Sequence, residues 1–182
     1  MAFLRSMVLG VFLTGFLAAG AWGAESSSTP LGHFFGSFKG TAIASQKFPS
    51  GSGKLDIRDL DVTIKPLEKG GFSVSWSTVF RSRKAKQAKT RSMTWNFQRT
   101  VNPKVWRGVR SGDPLVGNAL IWARVDGKAM LVYVIELKPS GESAMAIYRR
   151  TVINDVMTLE FERRDDGKAV RLVRGHLKRQ AK

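Results

Sequence analysis

Two pairs of carboxylates have the i, i+2 spacing that places both side chains on one face of a β-strand. The pairs are Asp59 with Asp61, and Glu160 with Glu162. Two carboxyl groups on one face can share the roles of acid and base in catalysis. The residues between them are apolar, Leu60 in one pair and Phe161 in the other, so the pattern predicts that the carboxylates face solvent. We therefore do not expect either pair to be catalytic.

Other residue types that carry enzyme chemistry are scarce. The chain has no cysteine, and its two histidines are His33 and His176. The sequence contains no Gly-x-Ser-x-Gly turn and no cluster of metal ligands. We predict that the protein is not an enzyme and has no catalytic residue, no metal and no cofactor. One alternative stays open, in which His176 is an axial ligand of haem.

The N-terminus has the parts of a secretory signal peptide. MAFLR supplies a basic start, an apolar segment follows, and small residues precede candidate cleavage positions after Gly23 and after Ala21. This predicts an exported protein, periplasmic or secreted, whose mature chain lacks residues 1–23 and has no transmembrane segment; an uncleaved membrane anchor is the alternative. Removing this segment takes away Arg5 and leaves 29 Lys and Arg against 14 Asp and Glu, a formal charge of +15.

The densest group of charges is RSRKAKQAKTR, residues 81–91, called the basic run below. Its six cations are Arg81, Arg83, Lys84, Lys86, Lys89 and Arg91. The basic pairs expected to add to the surface charge are Arg149-Arg150, Arg163-Arg164 and Lys178-Arg179. Outside the cytoplasm the abundant polyanions are anionic lipid head groups and lipopolysaccharide, and we expect no nucleic acid partner. The basic run therefore predicts peripheral contact with an anionic surface, and a solvated loop is the alternative.

Large apolar residues alternate with small polar ones on both sides of the basic run. The predicted inward-facing set comprises Phe72, Trp76, Met93, Trp95 and Phe97, with Trp122 and Tyr133 on either side of a later hairpin. A barrel of more than eight strands is wide enough to hold a ligand in its interior. We expect these residues to line a site for a small hydrophobic ligand. A filled core, with a structural or adaptor role, is the alternative.

The two-residue period continues through most of the mature chain and predicts an all-β fold. The predicted strands cover 34–45, 55–65, 71–81, 91–101, 104–110, 116–125, 128–138, 143–152, 156–164 and 168–178. Asp126-Gly127 and Asp166-Gly167 predict type I′ hairpins, so neighbouring strands should be antiparallel.

A flat meander of nine or ten strands would leave exposed edges, which closure into a barrel removes. We predict such a barrel as a single domain over residues 34–182, preceded by a polar leader and short helical plug over 24–33. A two-sheet sandwich is the alternative.

The opening of the first predicted strand, Gly36-Ser37-Phe38, resembles the Gly-x-Trp of the calycin superfamily, which includes lipocalins and fatty-acid-binding proteins. The resemblance implies a ligand-binding barrel. It also implies that Arg174 on the last strand packs across the Phe38 ring and joins the two ends of the sheet. A narrower resemblance, carried by residues 36–40 and by Gly175-His176-Leu177, is to nitrobindin-like haem proteins, and it implies that His176 ligates haem.

Overall fold

The computed structural model describes residues 31–46, 55–80 and 89–181. Within these ranges the chain forms ten antiparallel strands that close into a barrel, because each strand pairs with its neighbours in sequence and the first pairs with the last. The strands are β1 (Gly36–Gln46), β2 (Leu55–Pro66), β3 (Phe72–Phe80), β4 (Lys89–Arg99), β5 (Val105–Gly108), β6 (Leu120–Asp126), β7 (Ala129–Leu137), β8 (Ser143–Ile153), β9 (Val156–Asp165) and β10 (Lys168–Arg179). This confirms the predicted all-β barrel and excludes the sandwich. The predicted signal peptide and residues 81–88 of the basic run lie outside the described residues.

Strand β2 shows how the sequence alternation builds the barrel wall. Leu60, Val62 and Ile64 are at most 6% exposed, whereas Asp61 between them is exposed. Successive residues of a strand point to opposite faces, so one row of each strand enters the interior. Removal of these apolar rows from water is the main force that stabilises the fold.

The hairpin turns explain why consecutive strands are neighbours. Asp166 and Gly167 have φ of 45° and 75°, so both central residues are left-handed, as the predicted type I′ turn requires. The β6–β7 turn differs from its prediction by one residue. Asp126 pairs with Ala129, and only the first of the two residues between them, Gly127, has a positive φ, of 57°. This is the pattern of a type II′ turn.

Two segments predicted as the beginnings of strands are 3-10 turns instead. Phe34 belongs to a short 3-10 helix that packs as a plug before β1. The second turn is Pro114–Val116, where the Asp113 side chain accepts a hydrogen bond of 2.9 Å from the backbone N–H two residues on. Gly117 then takes a left-handed conformation that ends the turn, so β6 begins only at Leu120.

The first and last strands are joined by Arg179, not by Arg174 as predicted. Phe38 pairs with Arg179 in the β1–β10 ladder, and the guanidinium carbon lies 4.6 Å from the centroid of the Phe38 ring. Arg174 pairs with Ile43, and its side chain is 78% exposed, 3.8 Å from the carboxylate of Glu160. The prediction was wrong because the inward face of β10 carries its odd-numbered residues, which places Arg174 outside the barrel.

Arg179 also fixes the plug to the barrel. Its Nη2 donates to the carbonyl oxygen of His33 at 2.8 Å, and its Nη1 donates to the carbonyl oxygen of Phe35. Its Nε donates to Asp155 Oδ1 at 2.6 Å. A side chain at Gly36 would obstruct this arrangement, since a Cβ there would lie 2.6 Å from Nη1. The glycine of the Gly-x-Phe motif therefore makes room for the guanidinium group.

The barrel end beside the plug is closed by packed side chains. Phe34, Phe72, Phe97 and Trp106 are each at most 2% exposed. Phe72 stacks on Phe97 with ring centroids 4.7 Å apart, and Trp106 meets Phe72 edge-on at 5.7 Å. The indole N–H of Trp106 donates to the carbonyl oxygen of Gly70 at 3.0 Å, so its one polar group is satisfied. This half of the interior is a filled core.

Candidate ligand cavity

A cavity of about 260 Å³ occupies the other half of the barrel interior. It extends toward the end where β3 and β4 are connected, because Thr78 and Arg91, which pair near that end of the two strands, line its wall. The large apolar residues of the wall are Leu60, Trp76, Met93, Tyr148, Leu159 and Phe161. Met93 is 48% exposed, so the cavity opens to solvent on its side.

An aromatic cluster forms one wall of the cavity. The ring centroids of Trp76 and Tyr148 are 5.6 Å apart, and those of Tyr148 and Phe161 are 4.7 Å apart. Trp95 contacts two of these rings edge-on. Its ring centroid lies 4.7 Å from that of Trp76 and 5.3 Å from that of Tyr148. Burial raises the pKa of the Tyr148 hydroxyl, although Arg150 opposes the shift, so the phenol is neutral at pH 7. The cluster offers apolar ring surface and a neutral hydroxyl.

Arg150 is the most deeply buried charged residue that the structure describes, at 1% exposure. Neither its Nε nor its Nη1 has a hydrogen-bond partner in the protein. The guanidinium carbon lies 5.8 Å from the Trp76 ring centroid and 5.5 Å from that of Tyr148. Burial lowers the pKa of Arg150 to about 10, and Tyr148 opposes the shift. The group is therefore a cation at neutral pH, held between two aromatic faces.

Three further arginines line the cavity. Arg58 is 8% exposed, Arg171 lies 5.9 Å from the Phe161 ring centroid, and Arg91 enters from β4. Arg171 faces inward because it lies two residues before Val173 on the same face of β10; the irregularity in the β9–β10 ladder lies between Ala169 and Arg171. Among the wall residues that the structure describes there are four arginines and no Asp or Glu.

The structure separates the predicted ligand-binding residues into three groups. Trp76 and Met93 line the cavity, and Trp95 supports its aromatic wall. Phe72 and Phe97 lie in the packed end and do not line the cavity. The β3–β4 register places all five residues on one face of the two strands, in agreement with the predicted inward direction. Only the part of that face nearer the connection between β3 and β4 borders the cavity.

Trp122 and Tyr133 face outward, so their predicted position in the cavity was wrong. They pair across β6 and β7 and stack on each other with ring centroids 4.8 Å apart. Ala123 and Val132, the next pair of the same ladder, are fully buried and occupy the inner face instead. The face of β6 that carries Trp122 also carries Arg124 and Asp126, so the alternation of β6 indicates that this face is the outer one. Both faces of β7 are largely apolar, so its alternation alone does not determine the direction of Tyr133.

His176 also points away from the interior. It is exposed on the outer face of β10, where it pairs with Thr41 and Thr158. The described residues contain no group of three or more His, Asp or Glu that could hold a metal ion. Because His176 lies on the outer face of β10, it cannot ligate a haem inside the barrel, and the implication drawn from the nitrobindin-like resemblance is wrong.

The carboxylate pairs lie on the outer face, as the sequence predicts. Asp61 and Glu160 are exposed, whereas Leu60 and Leu159 beside them are buried in the wall of the cavity. Neither pair approaches the interior. Glu162 accepts a hydrogen bond of 2.7 Å from Arg164, an ordinary surface ion pair.

Of the six cations of the basic run, only Lys89 and Arg91 lie in the part of the chain that the structure describes. Both are exposed, and Arg91 contributes to the cavity wall as well. The predicted contact of Arg81, Arg83, Lys84 and Lys86 with an anionic surface falls on residues outside the described ranges. No helix in the described part of the chain has the length and apolar character needed to cross a membrane.

Sequence reasoning missed Tyr148, Arg150 and Arg171 as cavity residues. Arg149 and Arg150 are both predicted to add to the surface charge, but only Arg149 is exposed. The available signal was the alternation Ala144, Ala146, Tyr148, Arg150, Val152, which puts an arginine in an otherwise apolar row. An arginine in such a row is a candidate for a buried functional cation.

No protein-family model matches the sequence, and no curated protein matches it. Among solved structures, the chain is similar to a protein of unknown function from the DUF3598 family of Nostoc punctiforme, with a TM-score of 0.54 and 14% identity over 81% of this chain and 48% of that one. It is also similar to Rv2717c from M. tuberculosis, with a TM-score of 0.50 and 14% identity over 83% of this chain and 95% of that one.

The chain spans about half the length of the DUF3598 protein, 48% of it. At 14% identity, these two likenesses concern the fold alone.

Proposed function

We propose that this protein is an exported, non-enzymatic, lipocalin-like barrel that binds a small hydrophobic ligand and contacts anionic lipid or lipopolysaccharide through its basic run. The observation that carries the proposal is the cavity of about 260 Å³ in a barrel whose other end is tightly packed. A cavity lined by aromatic and aliphatic side chains, with a few polar groups, is the usual form of a small-molecule site.

The surface contact is supported by the position of the basic run. It connects β3 and β4, whose adjoining ends, with Thr78 and Arg91, line the cavity. A membrane that attracts the basic run would therefore lie at the cavity end of the barrel. Each basic residue near an anionic surface contributes ~1 kcal/mol before salt and loop ordering reduce it.

The cavity is tested with a neutral apolar probe that reports contact with tryptophan. We expect 8-bromo-1-octanol to quench the emission of the protein with saturation, because bromine quenches an excited indole that it touches. Trp76→Phe removes an indole of the cavity wall and should abolish a large share of the saturable quenching. Trp122→Phe removes an indole from the outer face and is the matched control, which should leave the saturable quenching intact. Linear quenching without saturation in all three proteins would mean a core that admits no ligand.

The surface contact is tested by flotation with vesicles rich in anionic lipid, and with zwitterionic vesicles as reference. One variant changes four cations of the basic run to Gln: Arg83, Lys84, Lys86 and Lys89. The control variant changes four exposed cations at the packed end to Gln: Lys69, Lys104, Lys128 and Lys178. We expect the first variant to lose most of its binding and the control to keep it, with binding of both falling as salt rises. Equal losses would assign the binding to net charge and refute a role for the basic run.

A further inference from the structure

We propose that the cavity selects an amphiphile with an acidic head group, which Arg150 binds at the bottom of the barrel while the apolar chain extends toward the mouth. This rests on the proposed function and names the class of its ligand. The ligand is a monoanion of the fatty-acid type, with a carboxylate or an equivalent acid at one end.

The first argument is the state of Arg150 itself. Its guanidinium is a buried cation in which two nitrogens, Nε and Nη1, meet no acceptor in the protein. Buried charges in proteins are ordinarily paired and hydrogen-bonded, because an unpaired one is costly. The faces of Trp76 and Tyr148 offset part of that cost but accept no conventional hydrogen bond. A carboxylate suits this site, since a guanidinium can donate two parallel hydrogen bonds to it through Nη2 together with either Nε or Nη1.

The second argument is the charge of the surroundings. The cavity wall carries Arg58, Arg91 and Arg171 in addition to Arg150, and its described residues include no carboxylate. Glu136 affects the titration of Tyr148, but it is exposed and does not line the cavity. Desolvation by burial is the main influence on Arg150, and no carboxylate offsets it. A buried cation that no carboxylate offsets favours an anionic ligand over a neutral or cationic one.

The third argument is the direction and size of the space. Arg150 is 1% exposed whereas Met93 is 48% exposed, so the cation lies deep and the apolar wall leads outward to solvent. A ligand matches this arrangement when its acid group lies beside Arg150 and its apolar chain extends toward the mouth of the cavity. The volume of 260 Å³ is slightly below the ~300 to 1,000 Å³ of typical small-molecule sites. This favours a chain of medium length, and octanoate is a suitable probe.

The test compares head groups on one chain, with 8-bromooctanoate and 8-bromo-1-octanol as quenchers of tryptophan emission and with octylamine as a competitor. We expect the acid to bind about 10- to 100-fold more tightly than the alcohol, as loss of a charged hydrogen bond implies. Octylamine should not displace it. Octyl phosphate should compete, because the site recognises an anion and not the carboxylate alone.

Two variants separate Arg150 from the general positive charge. Arg150→Met should reduce the preference for the acid to about twofold or less, and its unliganded form should be at least as stable as the parent, because an unpaired buried cation is gone. Arg149→Met removes the same charge from the neighbouring exposed position and should retain the preference. Arg150→Lys should keep part of the preference, since it retains the cation but loses the fork.

The inference is overturned if the parent protein binds the alcohol as tightly as the acid, or if Arg150→Met keeps the preference. The comparison of acid and alcohol binding in the parent protein needs no variant, so it tests the inference even if Arg150→Met does not fold. Saturable binding of the alcohol without preference for the acid would leave the proposed function standing and remove only this inference. Absence of saturable binding by either compound would overturn both.

Discussion

Replacement of Arg179 by alanine should destabilise the barrel far more than the same change at Arg174. Loss of the contact with the Phe38 ring, at 4.6 Å, costs ~0.5 to 2 kcal/mol. Loss of two charge-assisted hydrogen bonds to the carbonyl groups of His33 and Phe35 costs at least ~1.5 kcal/mol at this partly exposed site. The ion pair with Asp155, whose side chain is 76% exposed, adds less than ~1 kcal/mol. We therefore expect a loss of about 3 kcal/mol.

Urea unfolding followed by tryptophan emission measures this loss, and a thermal scan should show a fall in Tm of ~6 to 12 °C for a chain of this size. Arg174→Ala is the matched control, because its side chain is 78% exposed with one loose ion pair, and it should change the stability by less than ~0.5 kcal/mol. Arg179→Lys should lie between the two, since it keeps the cation but loses the planar fork. Equal stabilities for Arg179→Ala and Arg174→Ala would refute the assignment of barrel closure to Arg179.

Two further predictions concern the same end of the barrel. Gly40→Ala should cost at least ~3 kcal/mol or prevent folding, because its Cβ would lie 2.0 Å from the carbonyl oxygen of His176. Gly32→Ala, which meets nothing within 4 Å, is the control for urea unfolding, and similar losses in both variants would contradict the close approach of β1 to β10. The pKa of His33 is lowered by burial first and then by Arg179 and Lys128, so the folded state holds its proton less tightly than the unfolded state, whose pKa is 6.5. The free energy of unfolding should therefore fall as pH drops through 6.5, and His33→Gln should make that fall shallower; identical pH profiles would exclude this role.

The barrel could be predicted from the sequence because its signals are local. The period of two in segments such as Leu60-Asp61-Val62 is a property of each strand alone, and turn pairs such as Asp166-Gly167 join neighbouring strands without long-range information. Ten strands linked in this way have few arrangements open to them, and closure removes the exposed edges. The same alternation gave the inward direction of Trp76 and Met93 and the outward direction of the carboxylates.

The candidate site depended on registers that the sequence does not specify by itself. A shift of one residue exchanges the two faces of a strand, and both faces of β7 are largely apolar, so the outward direction of Tyr133 follows only from its pairing with Trp122 on the outer face of β6. Arg174 and Arg179 differ by five positions, an odd number, and therefore lie on opposite faces of β10.

What the sequence by itself determined is the class of fold and its large excess of positive charge, because alternation, turn chemistry and composition are read along the chain. Only the tertiary structure decided which of the positively charged side chains face solvent and which are buried. Arg149 and Arg150 are adjacent in sequence and chemically identical. Arg149 is exposed, whereas Arg150 is only 1% exposed and lies against the rings of Trp76 and Tyr148. The difference arises because closing the barrel assigns each row of side chains to water or to the interior, and this assignment turns one arginine into a buried cation without a protein partner for its Nε and Nη1 groups.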